Sequence, residues 1–256
     1  MDDALRNSLW NWVLASIEGH GPDATFENWH RVVHVLWSDF FKKSVDEISS
    51  DSRHSVKSWF LTAEWYEVYN FVEFLLPLNT RGHGYDPERY AREDRLNATL
   101  EREMSGYRSV KNQLVEITSP LELQEVDEAA TTRTGFEGVA KHITSAIGLM
   151  GKRPTPDYRN SIKESISAVE AAAKLLTGGK SGGIDNAVAV LEKHHGLHPA
   201  FKDALKKLYG YTSDADGIRH PILDSKAATS FAEAKFMLVA CSAFANFLIE
   251  SSNPRE

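Results

Sequence analysis

The chain has 256 residues, 42% of them hydrophobic and 25% charged, and a formal net charge of −7. This length supports a substantial core in one large or two small domains, and the composition excludes disordered, collagen-like and disulfide-scaffold chains. The single cysteine, Cys241, excludes an intrachain disulfide, and the first residues show neither a basic segment nor a long apolar run. Together these features predict a cytoplasmic protein without a signal peptide.

Helical periodicity dominates the first part of the chain and predicts helices at 2–17, 24–43, 53–76 and 87–106. All six tryptophans lie between Trp10 and Trp65. We expect them to form core and packing surface, although a ligand site built from them stays open. Two short segments on either side of Lys111 and Asn112 then break the helical pattern, which predicts a β-hairpin within 107–118.

A helix start follows the hairpin. Ser119 is suited to the N-cap, Pro120 to the first helical position and Glu122 to the third. Because the tryptophans also stop before this point, we place a domain boundary between 1–119 and 120–256. The chain is therefore expected to be mainly α, with a helical N-terminal domain carrying a small β-hairpin and a second helical domain after it.

The second part predicts helices at 120–131, 136–150, 156–177, 184–195, 198–209 and 226–251. Thr155 is expected to cap the third of these, and Gly210 is expected to end the fifth. The last helix is apolar on nearly all sides, which predicts burial on all sides. Its longest apolar stretch, Phe236 to Ile249, has 14 residues and is shorter than the roughly 20 of a membrane span.

The charge distribution limits the partners that the chain can have. Residues 1–119 hold 13 Lys and Arg against 19 Asp and Glu, and residues 120–256 hold 16 against 17. Neither half has the basic excess of a general nucleic-acid binder. Any contact with RNA or DNA is therefore expected at a few basic residues in one place, and no membrane partner is expected.

One polar loop concentrates groups that can carry chemistry: Asp214, Asp216, Arg219 and His220. Histidine can move a proton near neutral pH, and arginine can stabilise a phosphate that gains charge in a transition state. The alternative is structural, with the two acids closing a turn and pairing with Arg219. Outside this loop, Arg159 and Asn160 in the first turn of the helix at 156–177 are candidates for lining a site.

The histidines do not indicate a metal site. His30 and His34 are four residues apart and share a helical face, but the glutamate and third ligand of the zinc-protease motif are missing. Two ordinary histidines on the flank of a helix are the favoured interpretation. We expect no metal and no cofactor.

Two segments resemble the fourth class of the AbiJ-type N-terminal domain: MDDALRNSLWNWVL and the hairpin GYRSVKNQLVEIT. Three later segments resemble the HEPN-like helical domain that follows it: DYRNSIKESISAVEAAAKLLTG, LHPAFKDALKKLYGYTSDADGIRHPILD and FAEAKFMLVACSAFANFLI. The resemblance covers nearly the whole chain. It implies a helical N-terminal domain at 1–119 followed by a HEPN-like helical bundle at 120–256, in a protein of bacterial abortive infection, a defence against phage.

The resemblance also implies a chemistry. Many HEPN domains are metal-independent ribonucleases in which an arginine and a histidine at a dimer interface promote attack of a ribose 2′-hydroxyl on the adjacent phosphate. Carried to this chain, it implies catalytic Arg219 and His220, with Asp214 or Asp216 in support. Arg159 and Asn160 would contact the RNA, and the C-terminal half would form a homodimer.

Two other interpretations stay open. The HEPN nuclease signature places the histidine after four to six intervening residues, whereas Arg219 and His220 are adjacent. That departure favours a non-catalytic HEPN-like sensor or a module that binds protein or nucleic acid. A third interpretation is a helical scaffold whose Trp-rich N-terminal domain binds a partner protein.

Overall fold

A computed structural model describes residues 1–18, 26–78, 88–131, 133–177, 198–213 and 229–252, together with residues 185, 188, 189 and 192. Within these residues the protein is mainly helical with one two-stranded hairpin, so the predicted fold class is confirmed. The chain divides into two compact units, Met1–Glu116 and Ile117–Glu256. The sequence places its boundary three residues further along, between 119 and 120.

Five α-helices are described in the first unit: α1 (Asp3–Glu18), α2 (Phe26–Val35), α3 (Ser52–Thr62), α4 (Trp65–Leu75) and α5 (Glu88–Arg102). A π-helical segment, Leu36–Phe40, continues α2, and a 3₁₀ turn, Val45–Glu47, precedes α3. The sequence predicts the helical content here but not the π-helical hydrogen bonding.

The helix predicted at 53–76 is in fact two helices, α3 and α4. The backbone of Ala63 and Glu64 is extended between them. Arg6, on α1, donates from Nη1 to the carbonyl oxygens of Phe60 and Ala63, each at 2.8 Å. These bonds occupy carbonyls at the end of α3, where a helix leaves its last carbonyls without partners. The Glu67 carboxylate accepts a 3.0 Å bond from the Glu64 N–H and so starts α4.

The core of the first unit is rich in aromatic rings. Trp10, Trp12, Trp29 and Trp37 are all buried. The indole N–H of Trp12 donates to the Arg92 carbonyl at 3.2 Å, and that of Trp29 donates to the Ser52 hydroxyl at 3.3 Å. Each of these two buried donors therefore keeps a partner, as buried polar groups usually do.

The predicted hairpin is confirmed as β1 (Arg108–Val110) paired antiparallel with β2 (Gln113–Val115). Lys111 and Asn112 have φ of 51° and 63°, the left-handed pair that defines a type I′ turn. The Glu93 carboxylate accepts from the Asn112 N–H at 2.8 Å and from the Ser109 hydroxyl at 2.7 Å. A side chain of α5 therefore fixes this turn.

Five α-helices are described in the second unit: α6 (Pro120–Ala129), α7 (Glu137–Gly151), α8 (Tyr158–Leu176), α9 (Pro199–Ser213) and α10 (Phe231–Ser252). Ser119 is the N-cap of α6, as predicted, and its hydroxyl accepts from the Glu122 N–H. The Glu122 carboxylate pairs with Lys235 of α10 at 2.7 Å and thereby ties α6 to that helix.

Two predicted helix ends in this unit are wrong. Asp157, not Thr155, is the N-cap of α8. The reason is that the Asp157 N–H bonds to the Leu149 carbonyl at 2.9 Å, which fixes where the chain turns into the helix. The helix α9 continues through Gly210 to Ser213, because an interior glycine costs a helix only about 1 kcal/mol. The helix predicted at 184–195 lies largely outside the described residues.

The helix α10 packs against α6, α7 and α8 as the central helix of the unit. The helix has 22 residues, and an 18-residue stretch of it has a mean hydropathy of 1.5, which is long and apolar enough for a membrane span. However, 56% of that 18-residue stretch is buried inside the protein. The burial supports the prediction of a core helix. Within the single chain Phe236 is 61% exposed, so burial of the helix on all sides stays a prediction that requires a second copy to cover this residue.

Candidate functional site

The start of α8 positions the two predicted site residues that the structure describes. Asp157 caps the helix by accepting from the Asn160 N–H at 3.1 Å, and the Asn160 side-chain amide donates back to the Asp157 carboxylate at 2.7 Å. The hydrogen bond from Asn160 holds the pKa of Asp157 below its usual value, and nearby Lys152 and Lys163 act in the same direction. Asn160 is therefore committed to the cap.

Basic side chains surround this cap. Arg159 and Lys163 are four residues apart on α8, so they lie on one face of the helix, and both are half-buried. Lys152 follows the end of α7 and acts electrostatically on Asp157, as does Lys163. We call Lys152, Arg159 and Lys163 the basic surface of α8. Lys152 and Lys163 act on the Asp157 carboxylate, and Arg159 lies in the same first turn, so this helix N-terminus carries a net positive charge that favours an anion such as phosphate.

The four predicted residues of the polar loop, Asp214, Asp216, Arg219 and His220, lie outside the described residues. The described chain stops at Ser213 and resumes at residue 229. Two residues later α10 begins with Phe231, whose ring packs against that of Tyr158 at 6.0 Å between centroids. Tyr158 is the first residue of α8 and precedes Arg159. The chain that follows the polar loop therefore resumes beside the basic surface.

The structure contains a hydrogen-bonded pair that the sequence does not predict. His142 on α7 lies 2.8 Å from the carboxylate of Glu164 on α8, measured from Nδ1 to Oε2. Both side chains are about one-third exposed. The two residues are 22 positions apart, and only the packing of α7 on α8 brings them together. No local motif could have predicted the pair.

The first unit contains a second candidate region that the sequence analysis leaves open. Trp37, Phe41 and Trp59 line a cavity of about 380 Å³ together with Lys43. The available signal was the concentration of aromatic residues in the first 65 positions, but nothing in the spacing showed which rings would form a wall.

His30 and His34, the histidine pair considered for a metal, are both exposed on α2. Across the described residues, no three His, Cys, Asp or Glu side chains come close enough together to hold a metal ion.

Comparison with known proteins identifies the first part of the chain. The family model described as AbiJ N-terminal domain 4 matches residues 1–132. This match extends beyond the predicted boundary at 119/120 and includes α6, the first helix of the second unit. Neither the search of curated proteins nor that of solved structures found a match. Because the family model covers more than half of the sequence, the chain belongs to the AbiJ N-terminal domain 4 family, whose name connects it with abortive-infection defence.

Proposed function

We propose that this protein is a cytoplasmic effector of phage defence by abortive infection, and that its second unit is a HEPN-like, metal-independent endoribonuclease. Family membership supports the role in defence. The resemblance of three segments in the second half supports the HEPN-like domain. The observation that carries the proposal for RNA is the basic surface of α8, beside which the chain resumes after the polar loop.

In this proposal the basic surface binds the RNA backbone. Arg159 pairs with a phosphate next to the scissile one, since guanidinium and phosphate form charge-assisted hydrogen bonds. Lys163 lies on the same helical face and adds a second cation. Asn160 acts indirectly, because its amide holds the Asp157 carboxylate and with it the first turn of α8.

The reaction is a transesterification. The ribose 2′-hydroxyl attacks the adjacent phosphorus while His220 takes the hydroxyl proton, and the bond from phosphorus to the 5′-oxygen breaks. The leaving 5′-oxygen takes a proton from water, so the products are a 2′,3′-cyclic phosphate and a 5′-hydroxyl. Arg219 stabilises the negative charge that develops on the phosphate oxygens, and Asp214 or Asp216 orients His220 or Arg219.

The test is RNA cleavage by the purified chain, followed by mass spectrometry of the cut ends. We expect cyclic phosphate ends, full activity in excess chelator and no cleavage of DNA, which lacks the 2′-hydroxyl. His220→Ala should abolish cleavage, because loss of acid–base assistance costs about 10²–10⁴-fold in rate. Arg219→Ala should abolish it because the charge that develops on the phosphate loses its stabilising cation. Arg159→Ala should weaken RNA binding.

The matched control is His142→Ala. It removes a histidine of the same unit that pairs with Glu164 and has no part in the proposed reaction. Cleavage should survive this change. Cleavage of DNA, loss of activity in chelator, or full activity in His220→Ala would each overturn the ribonuclease proposal.

The alternative is a non-catalytic HEPN-like module that senses or binds protein or nucleic acid. It is favoured by the adjacency of Arg219 and His220, which departs from the spacing of the HEPN nuclease signature. In that case the chain binds RNA or a partner and remains toxic in infected cells without cutting RNA. A partner protein for the Trp-rich first unit stays a prediction.

We further propose that the second unit forms a homodimer through α10. The exposed side of this helix carries Phe236, which is 61% exposed, and Ala243. Phe247 follows Ala243 by four residues and so lies on the same side of the helix. Its ring packs against that of Phe201 on α9 at 5.9 Å between centroids, and Phe201 is itself 46% exposed. A second copy would remove these apolar side chains from water.

A further inference from the structure

The cavity in the first unit lies where the π-helical segment and the chain after it meet α3. Its volume of about 380 Å³ falls within the range of about 300–1,000 Å³ that is usual for small-molecule sites. Three of its walls are the rings of Trp37, Phe41 and Trp59. Nothing in the proposed ribonuclease chemistry uses this cavity.

The aromatic walls are rigidly packed. The ring of Phe41 meets Trp37 at 5.6 Å between centroids and 67° between planes, and it meets Trp59 at 4.9 Å and 89°. Such edge-to-face contacts are the favoured arrangement of aromatic pairs. The three rings therefore hold one another in place, and the cavity is preformed.

Local backbone geometry brings a cation to the same place. Phe41 N–H bonds to the Leu36 carbonyl at 2.8 Å, which is the π-helical pattern. Lys42 then adopts a left-handed conformation with φ of 54°, and the Lys43 N–H returns to the Trp37 carbonyl at 2.8 Å. This turn places the Lys43 ammonium 5.9 Å from the centre of the Trp37 ring. Segments of π-helix occur frequently at functional sites.

The indole N–H of Trp37 differs from those of the other core tryptophans in its hydrogen bonding. The residue is only 8% exposed, and its buried indole N–H has no hydrogen-bond partner among the described residues. The indole N–H groups of Trp12 and Trp29, in the same core, both have acceptors. A buried donor without an acceptor is unfavourable. Because this N–H is buried, a ligand in the preformed cavity does not reach it, and the contribution of Trp37 to the cavity is its ring.

The charged side chains decide the class of ligand. An aromatic cage for an organic cation needs free ring faces, but here the Lys43 ammonium already stands over Trp37 and would repel a second cation. The same ammonium would attract an anionic group. Glu47, also at the cavity, would accept bonds from amino or hydroxyl groups, and Ser49 and Ser55 add hydroxyls.

We infer that this cavity binds a nucleotide: a planar ring that packs on Trp59, hydroxyl or amino groups for Glu47, and a phosphate for Lys43. Aromatic side chains stack on all bases because every base presents a π-face. The inference is independent of the proposed ribonuclease activity.

The test is titration of the full chain with AMP, GMP, CMP and UMP, followed by calorimetry and tryptophan fluorescence. We expect saturable binding of at least one of them at one site per chain. The matching nucleoside should bind at least tenfold more weakly, because it lacks the phosphate that pairs with Lys43. Raising the salt concentration should reduce the difference in affinity between nucleotide and nucleoside, because ions screen the exposed Lys43 ammonium.

Two pairs of variants locate the site. Trp59→Ala removes a ring of the cavity wall and should weaken binding at least tenfold, whereas Trp65→Ala, outside the cavity, should not. Lys43→Gln, an exposed change that leaves the core intact, should abolish the preference for nucleotide over nucleoside, whereas Lys57→Gln on α3 should not. Arg159→Ala tests the other unit and should leave nucleotide binding unchanged.

Four results would overturn the inference: no saturable binding of any of the four nucleotides, equal binding by the Lys43→Gln variant, loss of binding in Arg159→Ala alone, or tighter binding of choline than of any nucleotide. Failure of the ribonuclease proposal would be seen separately, as absence of RNA cleavage while nucleotide binding persists.

Discussion

Asp157 is the residue that fixes the start of α8 and, with it, the basic surface. We expect Asp157→Ala to lower the free energy of unfolding by about 1 kcal/mol, the usual loss for an N-cap. The measurement is chemical denaturation at pH 7. The same change should weaken RNA binding, because Asn160 loses the carboxylate that now accepts two of its hydrogen bonds.

The pH dependence of this cap has a defined sign. Because the folded state lowers the pKa of Asp157, its stabilisation is present above the ordinary value of 3.8 and is lost as the pH falls through the lowered value. Asp157→Asn retains a capping acceptor but cannot titrate, so it should lack this part of the acid dependence. Equal acid sensitivity in the two proteins would contradict the assignment.

The sequence pattern correctly predicted that Arg159 and Asn160 lie in the first turn of a helix, but it indicated Thr155 as the N-cap. Both Thr155 and Asp157 are good capping residues by type. The choice between them depends on the hydrogen bond from Asp157 N–H to the Leu149 carbonyl, a contact with the preceding helix. Local sequence does not contain that information.

Among the helices, α10 can be tested through its single thiol. Burial raises the pKa of Cys241 from an ordinary 9.0 to about 12. Below pH 9 the thiol is protonated in both the folded and the unfolded state. Above pH 9 only the unfolded thiol ionises, so the stability should fall until the pH reaches about 12. At pH 10 we expect a loss of about 1.4 kcal/mol relative to pH 8 from this group alone.

The control for this prediction is Cys241→Ala, which removes the ionising group and leaves every other titration unchanged. Between pH 8 and pH 10 its free energy of unfolding should fall by about 1.4 kcal/mol less than that of the native chain. A difference that is the same at both pH values would mean that the thiol is not buried as described.

Helices with long periodic patterns were predicted well, and their interruptions were not. The break between α3 and α4 depends on Arg6, which reaches the carbonyls of Phe60 and Ala63 from another helix. The π-helical segment depends on the packing of Phe40 and Phe41 among other aromatic rings. Periodicity describes one helix at a time, so it cannot indicate features that a second element imposes.

For the whole molecule, the proposed homodimer has a simple test. Light scattering of the purified chain at micromolar concentration should give twice the chain mass of 28.6 kDa. Phe236→Glu should give the single mass, because it places a charge on the apolar face that a second copy would cover. Met104→Glu, at a position 91% exposed in the first unit, should leave the dimer intact. A monomeric native chain would exclude this assembly.

The candidate sites were predictable to different degrees. The polar loop was conspicuous in the sequence because two acids, an arginine and a histidine lie within seven residues. The basic surface of α8 was only partly predictable, because Lys152 comes from the chain before the helix and approaches Asp157 only in the folded structure. The cavity was not visible at all, since tryptophans in a sequence do not reveal which rings leave space between them.

The π-helical segment predicts how the cavity would be gained or lost among related proteins. A π-turn holds one residue more than an α-turn, so loss of a single position, such as the exposed Ser38, would restore an uninterrupted α-helix. The π-helical bond from the Phe41 N–H to the Leu36 carbonyl would then be lost, and with it the wider turn that places Phe41 at the cavity. Gain or loss of this cavity among relatives should therefore follow a change in length here, which a comparison of substitutions alone would overlook.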